Sequence, residues 1–212
     1  MQRRPQKCAR QKTEPRKCRG FEKTLWKPGT MLYPAPAVLV TSVDKTGAPN
    51  VLTVAWTGTI CSEPPMLSIS VRPERYSHEL IAQSGEFVVN IPSVRQARAI
   101  DYCGVVSGRT TDKFKAMRLT PGPAKTVKAP LILECPLHIE CKVRRSLKLG
   151  SHTMFLAEVT AVQATTSLIT PSGRLALERA GLIAYVHGGY YALEKRLGFF
   201  GFSVQKKGKR RE

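Results

Sequence analysis

Acidic residues are scarce in this chain: 15 Asp and Glu stand against 34 Lys and Arg in 212 residues, a formal charge of +19. Long apolar runs are missing as well. No stretch of 18 apolar residues occurs, so no transmembrane helix is expected and no membrane partner is called for. The basic N-terminus has no apolar core of the kind a secretory signal needs, and residues 1–30 contain no Ser, which argues against a transit peptide. A cytoplasmic location is the expectation. No C-x-x-C pair and no G-x-G-x-x-G turn are present, which removes the usual zinc-ribbon and dinucleotide-fold signatures. No RNP motif, zinc-finger spacing or recognition-helix pattern supports sequence-specific reading of nucleic acid.

What charge there is lies mostly at the ends. Residues 1–24 carry +7 and residues 203–212 carry +4, leaving +8 for the middle. Residues 1–24 and 205–212 therefore read as basic, disordered tails around one domain, 25–204. They are solvated termini, or the result of a start codon chosen upstream of Met31. Their functional alternative is weak binding to nucleic acid or another anionic surface.

The six cysteines are scattered. Cys135 and Cys141 flank His138 in ECPLHIEC, which resembles a metal cluster. However, Cys135, Leu137, Ile139 and Cys141 alternate with polar residues, so both thiols are expected on the apolar face of a strand. No metal site is assigned, and the cysteines read as free thiols.

Turn residues divide the core into short strands. Strands are expected at 36–43, 50–60, 66–72, 86–91, 131–145 (with a bend at Pro136) and 152–164. Helices are expected at 77–84, with Ser77 as N-cap and Gly85 at the C-terminal end, and after Pro92-Ser93, closing near Gly104. A helical turn is expected around DKFKAM, 112–117. The pattern is that of a mainly β protein, an antiparallel barrel with short peripheral helices.

The segment from Asn50 to Ile91 carries the functional signal. Two strands, VLTVAWTGTI and MLSISV, are joined by a Glu-Pro-Pro turn, and the second leads through Arg-Pro-Glu-Arg-Tyr-Ser-His into a helix. A helix N-terminus with neighbouring cations suits phosphate. A Trp and several hydroxyls on the adjoining strand suit a flat aromatic ring. A planar, phosphorylated cofactor fits both features.

Seven segments, in order, resemble the flavin reductase-like family, in its flavoredoxin-like branch: PGTMLYPAPAVLVTS, PNVLTVAWTG, EPPMLSISVRPERYSHELI, GEFVVNIP, CGVVSGRTTDKF, GSHTMFLAEV and GGYYALEKRLGFFGFS. The resemblance spans about residues 29–204. It implies an FMN-binding split β-barrel, a homodimer, and an oxidoreductase that passes electrons through non-covalently held FMN. NAD(P)H or a redox protein would be the electron donor. The implied cofactor residues are Asn50, Thr53 and Trp56, with the backbone of Val54, Ala55 and Thr57 along the ring edge. Arg72, Ser77 and His78 lie at the phosphate end, Lys113 and His152 beside the flavin, and Tyr190 closes the site in competition with Tyr185 and Tyr191.

Each of these residues also has a plain structural reading. Trp56 would be core, Arg72 and Arg75 a basic turn, and His152 an exposed histidine at a strand start. No catalytic acid or base is assigned, because hydride chemistry belongs to the cofactor. The alternative from another class is a basic binding protein on a split-barrel scaffold whose flavin site has decayed, with affinity that falls steeply with salt. Haem binding through His152 ranks below both.

Overall fold

The computed structural model describes residues 22–204. The expected tails lie outside the described residues except for residues 22–24. Residues 22–31 carry no regular structure and fall in a unit of their own, Met1–Met31. All strands and helices among the described residues belong to the second unit, from Leu32 onward.

The chain runs β1 (Ala35–Pro36), β2 (Val38–Val43), β3 (Pro49–Val54), β4 (Thr57–Cys61), β5 (Met66–Val71), α1 (Tyr76–Ser84) and β6 (Glu86–Ile91). It continues through a 3-10 turn (Val94–Gln96) into α2 (Ala97–Val105), α3 (Lys113–Met117), β7 (Pro121–Gly122), β8 (Leu131–Ile132), β9 (Leu137–Leu149) and β10 (His152–Ala164). A last hairpin, β11 (Ile183–Val186) and β12 (Gly189–Ala192), pairs with β1. The main sheet is antiparallel, in the order β3-β2-β6-β9-β10-β5-β4.

That order explains the barrel. β3 and β4 follow each other in sequence yet form opposite edges of the seven-stranded sheet. Only Ala55 and Trp56 join them, a span of about 10 Å at most. The sheet must therefore curl until its edges nearly meet. The continuous strand expected over 50–60 is thus two strands broken at this seam. The run VLTVAWTGTI has the β-rich composition of one strand, and tertiary closure overrides it.

Strands β2 and β3 are buried on both faces. Val38, Val40, Leu52 and Val54 pack inside the barrel with Ile69, Phe87 and Phe155. Leu39 and Val51 face the other way, onto Ile100 and Cys103 of α2 and Phe114 of α3. Period-two alternation supplies both faces from one strand. Truncating Phe87 or Phe155, each essentially inaccessible, to Ala would cost about 3–5 kcal/mol.

Most helix and strand limits agree with the expectations, but the single strand expected over 131–145 is two: β8 pairs with β7 in a small sheet of its own, residues 133–136 turn, and β9 starts only at Leu137. Other details differ as well. Gly85 does close α1 in the left-handed region, φ 70°, but the N-cap is Arg75 and Ser77 sits inside the first turn. Cys141 lies on β9 inside the barrel, whereas Cys135 lies in the preceding turn and packs in the α2 cluster. The alternation read over 135–141 therefore does not put both thiols on one face. His138 and Glu140, the polar residues of that alternation, are buried too, because the 123–130 loop covers that side: Glu140 accepts the Lys125 and Thr126 N–H groups. Burial pushes the Cys103 thiol up to about 11 and those of Cys135 and Cys141 to about 12, so all three stay protonated.

Candidate functional site

The seam between the sheet edges opens into a trough. One cavity of about 300 Å³ is lined by Thr53, Val54, Ala55 and Trp56 on one side and by Tyr33, Tyr185 and Tyr190 among others. A second, of about 270 Å³, is lined by Asn50, Ser77, Gly108 and Lys113 among others. Leu52, Arg72 and Arg75 border both, so the two adjoin.

The aromatic end begins at the break itself. Ala55 and Trp56 belong to neither strand. The Trp56 carbonyl accepts the Ser70 N–H at 2.9 Å, while the Ala55 and Trp56 N–H groups have no protein acceptor among the described residues. Such groups seek a ligand or water. Trp56 is 41% exposed, which removes the core reading. Its ring meets that of His152 edge-on, centroids 4.6 Å apart. Burial, and then the Arg72 charge, hold His152 below the usual histidine range, so it is neutral near pH 7. Across the trough Tyr185 and Tyr190 lie with centroids 5.6 Å apart. Burial raises the Tyr190 hydroxyl, and the adjacent Asp101 adds to the effect.

The floor is set by α2. Thr53 Oγ1 donates to the Ile100 carbonyl. A Cβ on Gly104 would lie 3.4 Å from the Thr53 Cβ, in ordinary van der Waals contact, so α2 lies close against β3 here. Thr53 is thus held at the trough wall with its hydroxyl already spent.

The basic end is built on hydroxyl and amine donors. Asn50 Nδ2 donates to Ser77 Oγ at 2.7 Å, which leaves the Ser77 proton free to donate elsewhere. The 106–108 loop closes against this pair. A Cβ on Gly108 would stand 2.0 Å from Asn50 Oδ1, so only glycine permits the approach. Lys113 is 4% exposed, and its Nζ donates to the carbonyls of Cys103 and Val106, near the C-terminal end of α2, at 3.3 and 3.2 Å. Burial lowers its pKa, only partly offset by Cys103. Arg72 and Arg75 add charge, with Glu74 3.5 Å from Arg72.

The structure brings together Asn50, Thr53, Val54, Ala55, Trp56, Arg72, Ser77, Lys113, His152 and Tyr190 in one trough. Thr57 and His78 line neither cavity. His78 bonds Thr153 Oγ1 at 2.9 Å and packs on Phe155 instead. Of the competing tyrosines, Tyr185 and Tyr190 line the trough and Tyr191 does not. Sequence reasoning missed Tyr33, Asp101, Gly104 and Gly108. Gly108 alone had a local signal, standing in the SGR that precedes Asp112-Lys113-Phe114.

Comparison with known proteins places this geometry. The model of the flavin reductase like domain matches residues 30–194. A flavoredoxin of Desulfovibrio vulgaris superposes with a TM-score of 0.81 at 31% identity, covering 87% of this chain and 100% of its own. A protein of Archaeoglobus fulgidus, described only as uncharacterized, is 36% identical over 132 residues, 62% of this chain and 73% of that protein. An NADH-dependent flavin reductase of Pseudomonas fluorescens is 25% identical over 143 residues, 66% of this chain and 78% of that protein.

Proposed function

The chain belongs to the flavin reductase-like family, and from that premise we propose that it is an FMN-dependent oxidoreductase, a flavin reductase or a flavoredoxin-type electron carrier. The observation that carries this reading is the trough's polarity: rings and free backbone donors at one end, cations and a free hydroxyl at the other. A flavin mononucleotide has that polarity, with a flat ring joined by a short chain to a dianionic phosphate.

When bound, the flavin supplies the two-electron chemistry. The protein's residues bind and orient it. Ser77 and Lys113 donate to the phosphate, with Arg72 and Arg75 offsetting its charge. The Ala55 and Trp56 N–H groups donate to the polar edge of the ring, and Trp56 with His152 covers one side. Neutral His152 adds no net charge beside the ring.

NAD(P)H is the proposed donor in the reductase form, and another redox protein in the carrier form. We place the protein in the cytoplasm as a homodimer. Exposed Leu193, Leu197, Phe200 and Phe202 beyond β12 support association with a second copy.

The test is to purify the protein without added cofactor, record its visible spectrum and identify any released chromophore. A yellow protein releasing FMN supports the proposal. A colourless protein that also fails to bind added FMN would overturn it. Rapid NADH or NADPH oxidation by the loaded protein then selects the reductase, and its absence the carrier.

A further inference from the structure

A separate cavity of about 500 Å³ lies at the other end of α2 and plays no part in the trough. Arg95, Arg98 and Arg118 line it, over a base that includes Met117 and Leu119. None of the three arginines is in an ion pair among the described residues. The acid in the lining is Glu134, and both its oxygens are engaged by the Thr120 N–H at 3.0 Å. Three arginines, all exposed, thus line a cavity that also holds one carboxylate.

The backbone of Arg118 is a second, independent observation. It ends α3 in the left-handed region, φ 51° and ψ 44°, with Arg118 N bonding the Lys115 carbonyl and Leu119 N bonding the Phe114 carbonyl. Glycine is the residue that favours this helix-ending geometry, because a Cβ is penalised there. Only one other non-glycine residue among those described has positive φ, His187, which shares a hairpin turn with Gly188. Arg118 is therefore held in a conformation that suits glycine better, with its side chain at the cavity. Backbone cost of this kind collects at binding sites.

We infer that Arg95, Arg98 and Arg118 form a second anion site, taking the phosphate groups of a phosphorylated ligand such as a nucleotide. Paired guanidinium groups match phosphate geometry. The N-terminal half of α2 lines this cavity through Arg98 and Ala99, while its C-terminal half lines the trough through Asp101, Gly104 and Val105. A nine-residue helix is about 13 Å long, within reach of a dinucleotide. The phosphate can therefore belong either to a free anion or to a nicotinamide dinucleotide whose ring enters the trough.

The test is calorimetric titration of the full-length, FMN-saturated protein with inorganic pyrophosphate. Wild type is expected to bind saturably. Arg118→Gly is expected to bind about tenfold or more weakly, with an equal or higher Tm, since glycine suits that position. Arg98→Gln is expected to weaken binding in the same direction without touching the α3 cap. Absence of saturable binding to wild type, or wild-type affinity in Arg118→Gly, would overturn the site. Steady-state kinetics then identify the source. A higher KM for NADPH in Arg118→Gly at unchanged kcat assigns the phosphate to the dinucleotide, and unchanged KM values assign it to a free anion; either outcome sustains the site. The kinetic arm rests on the flavin reductase reading; in the titration FMN serves only to fill the trough, and Arg98 and Arg118 lie outside the trough, so pyrophosphate binding that their variants weaken stands even where FMN fails to bind.

Discussion

Among the described residues two charged side chains, Glu140 and Lys113, are buried, and they are treated in opposite ways. Glu140, on β9, is fully inaccessible. Its carboxylate accepts the Lys125 and Thr126 N–H groups, the Thr126 hydroxyl at 2.7 Å and the Gln163 amide at 2.7 Å. Burial pushes its pKa up, but these donors together outweigh burial and leave it below the usual range. Lys113, in the trough, makes two bonds of 3.2 and 3.3 Å to carbonyls, has no carboxylate partner among the described residues, and has its pKa lowered. Glu140 is a completed clamp that fastens the 123–130 loop to the sheet. Lys113 is a cation held out of water with one N–H unspent, which is how a binding site differs from a structural network.

Breaking the clamp is the largest expected effect. Glu140→Ala leaves several buried donors unpaired and should cost about 3 kcal/mol of stability, read as a fall in the denaturant midpoint with little change in FMN affinity under conditions where the variant is folded. A variant as stable as wild type would show that the loop is held by other contacts.

Lys113→Met should do the reverse. We expect FMN affinity to fall about 10–100-fold, roughly 1.4–2.7 kcal/mol, while the apoprotein becomes more stable. The sign follows from linkage. A lysine whose pKa is lower in the folded state binds fewer protons there than when unfolded. Wild-type apoprotein should therefore gain stability as pH rises toward 10.5, the ordinary lysine value. Lys113→Met should lose that component of the rise, and an identical pH profile in the two proteins would refute the contrast.

Acid separates the two sites in the other direction. The Glu140 pKa is depressed below 4.5 in the folded state, so its contribution is complete above 4.5 and is lost as pH falls through the lower, folded value. Wild type should lose more stability over that range than Glu140→Gln, measured by thermal melts across pH 2–5. Smaller still, Ser77→Ala should weaken FMN about tenfold and leave riboflavin, which has no phosphate, unaffected. Trp56→Ala should leave stability within about 0.5 kcal/mol, because the ring is half exposed, and should alter the visible spectrum of bound flavin.

Much of this was legible in the chain, and the failures have physical causes. Apolar runs between turn residues located β5, β6 and β10, Gly85 located the end of α1, and Pro92-Ser93 located the entry to the second helical segment. The break at Ala55–Trp56 was not legible, because barrel closure and not local propensity imposes it. Ser77 looked like an N-cap because hydroxyls cap helices, but its partner is Asn50, 27 residues away. The burial of His138 and Glu140 was not legible either, because period two cannot see a loop folded over the second face of a strand. Of the site residues that were missed, Tyr33 and Asp101 reach the trough from distant parts of the chain, where no local pattern announces them.

The most direct test compares dissociation constants for FMN and riboflavin, measured by flavin fluorescence, in wild type and Lys113→Met. FMN should bind wild type about tenfold or more tightly than riboflavin, with most of that preference lost in the variant. Equal affinity of wild type for the two flavins would mean that the basic end of the trough holds no phosphate, and would contradict the account.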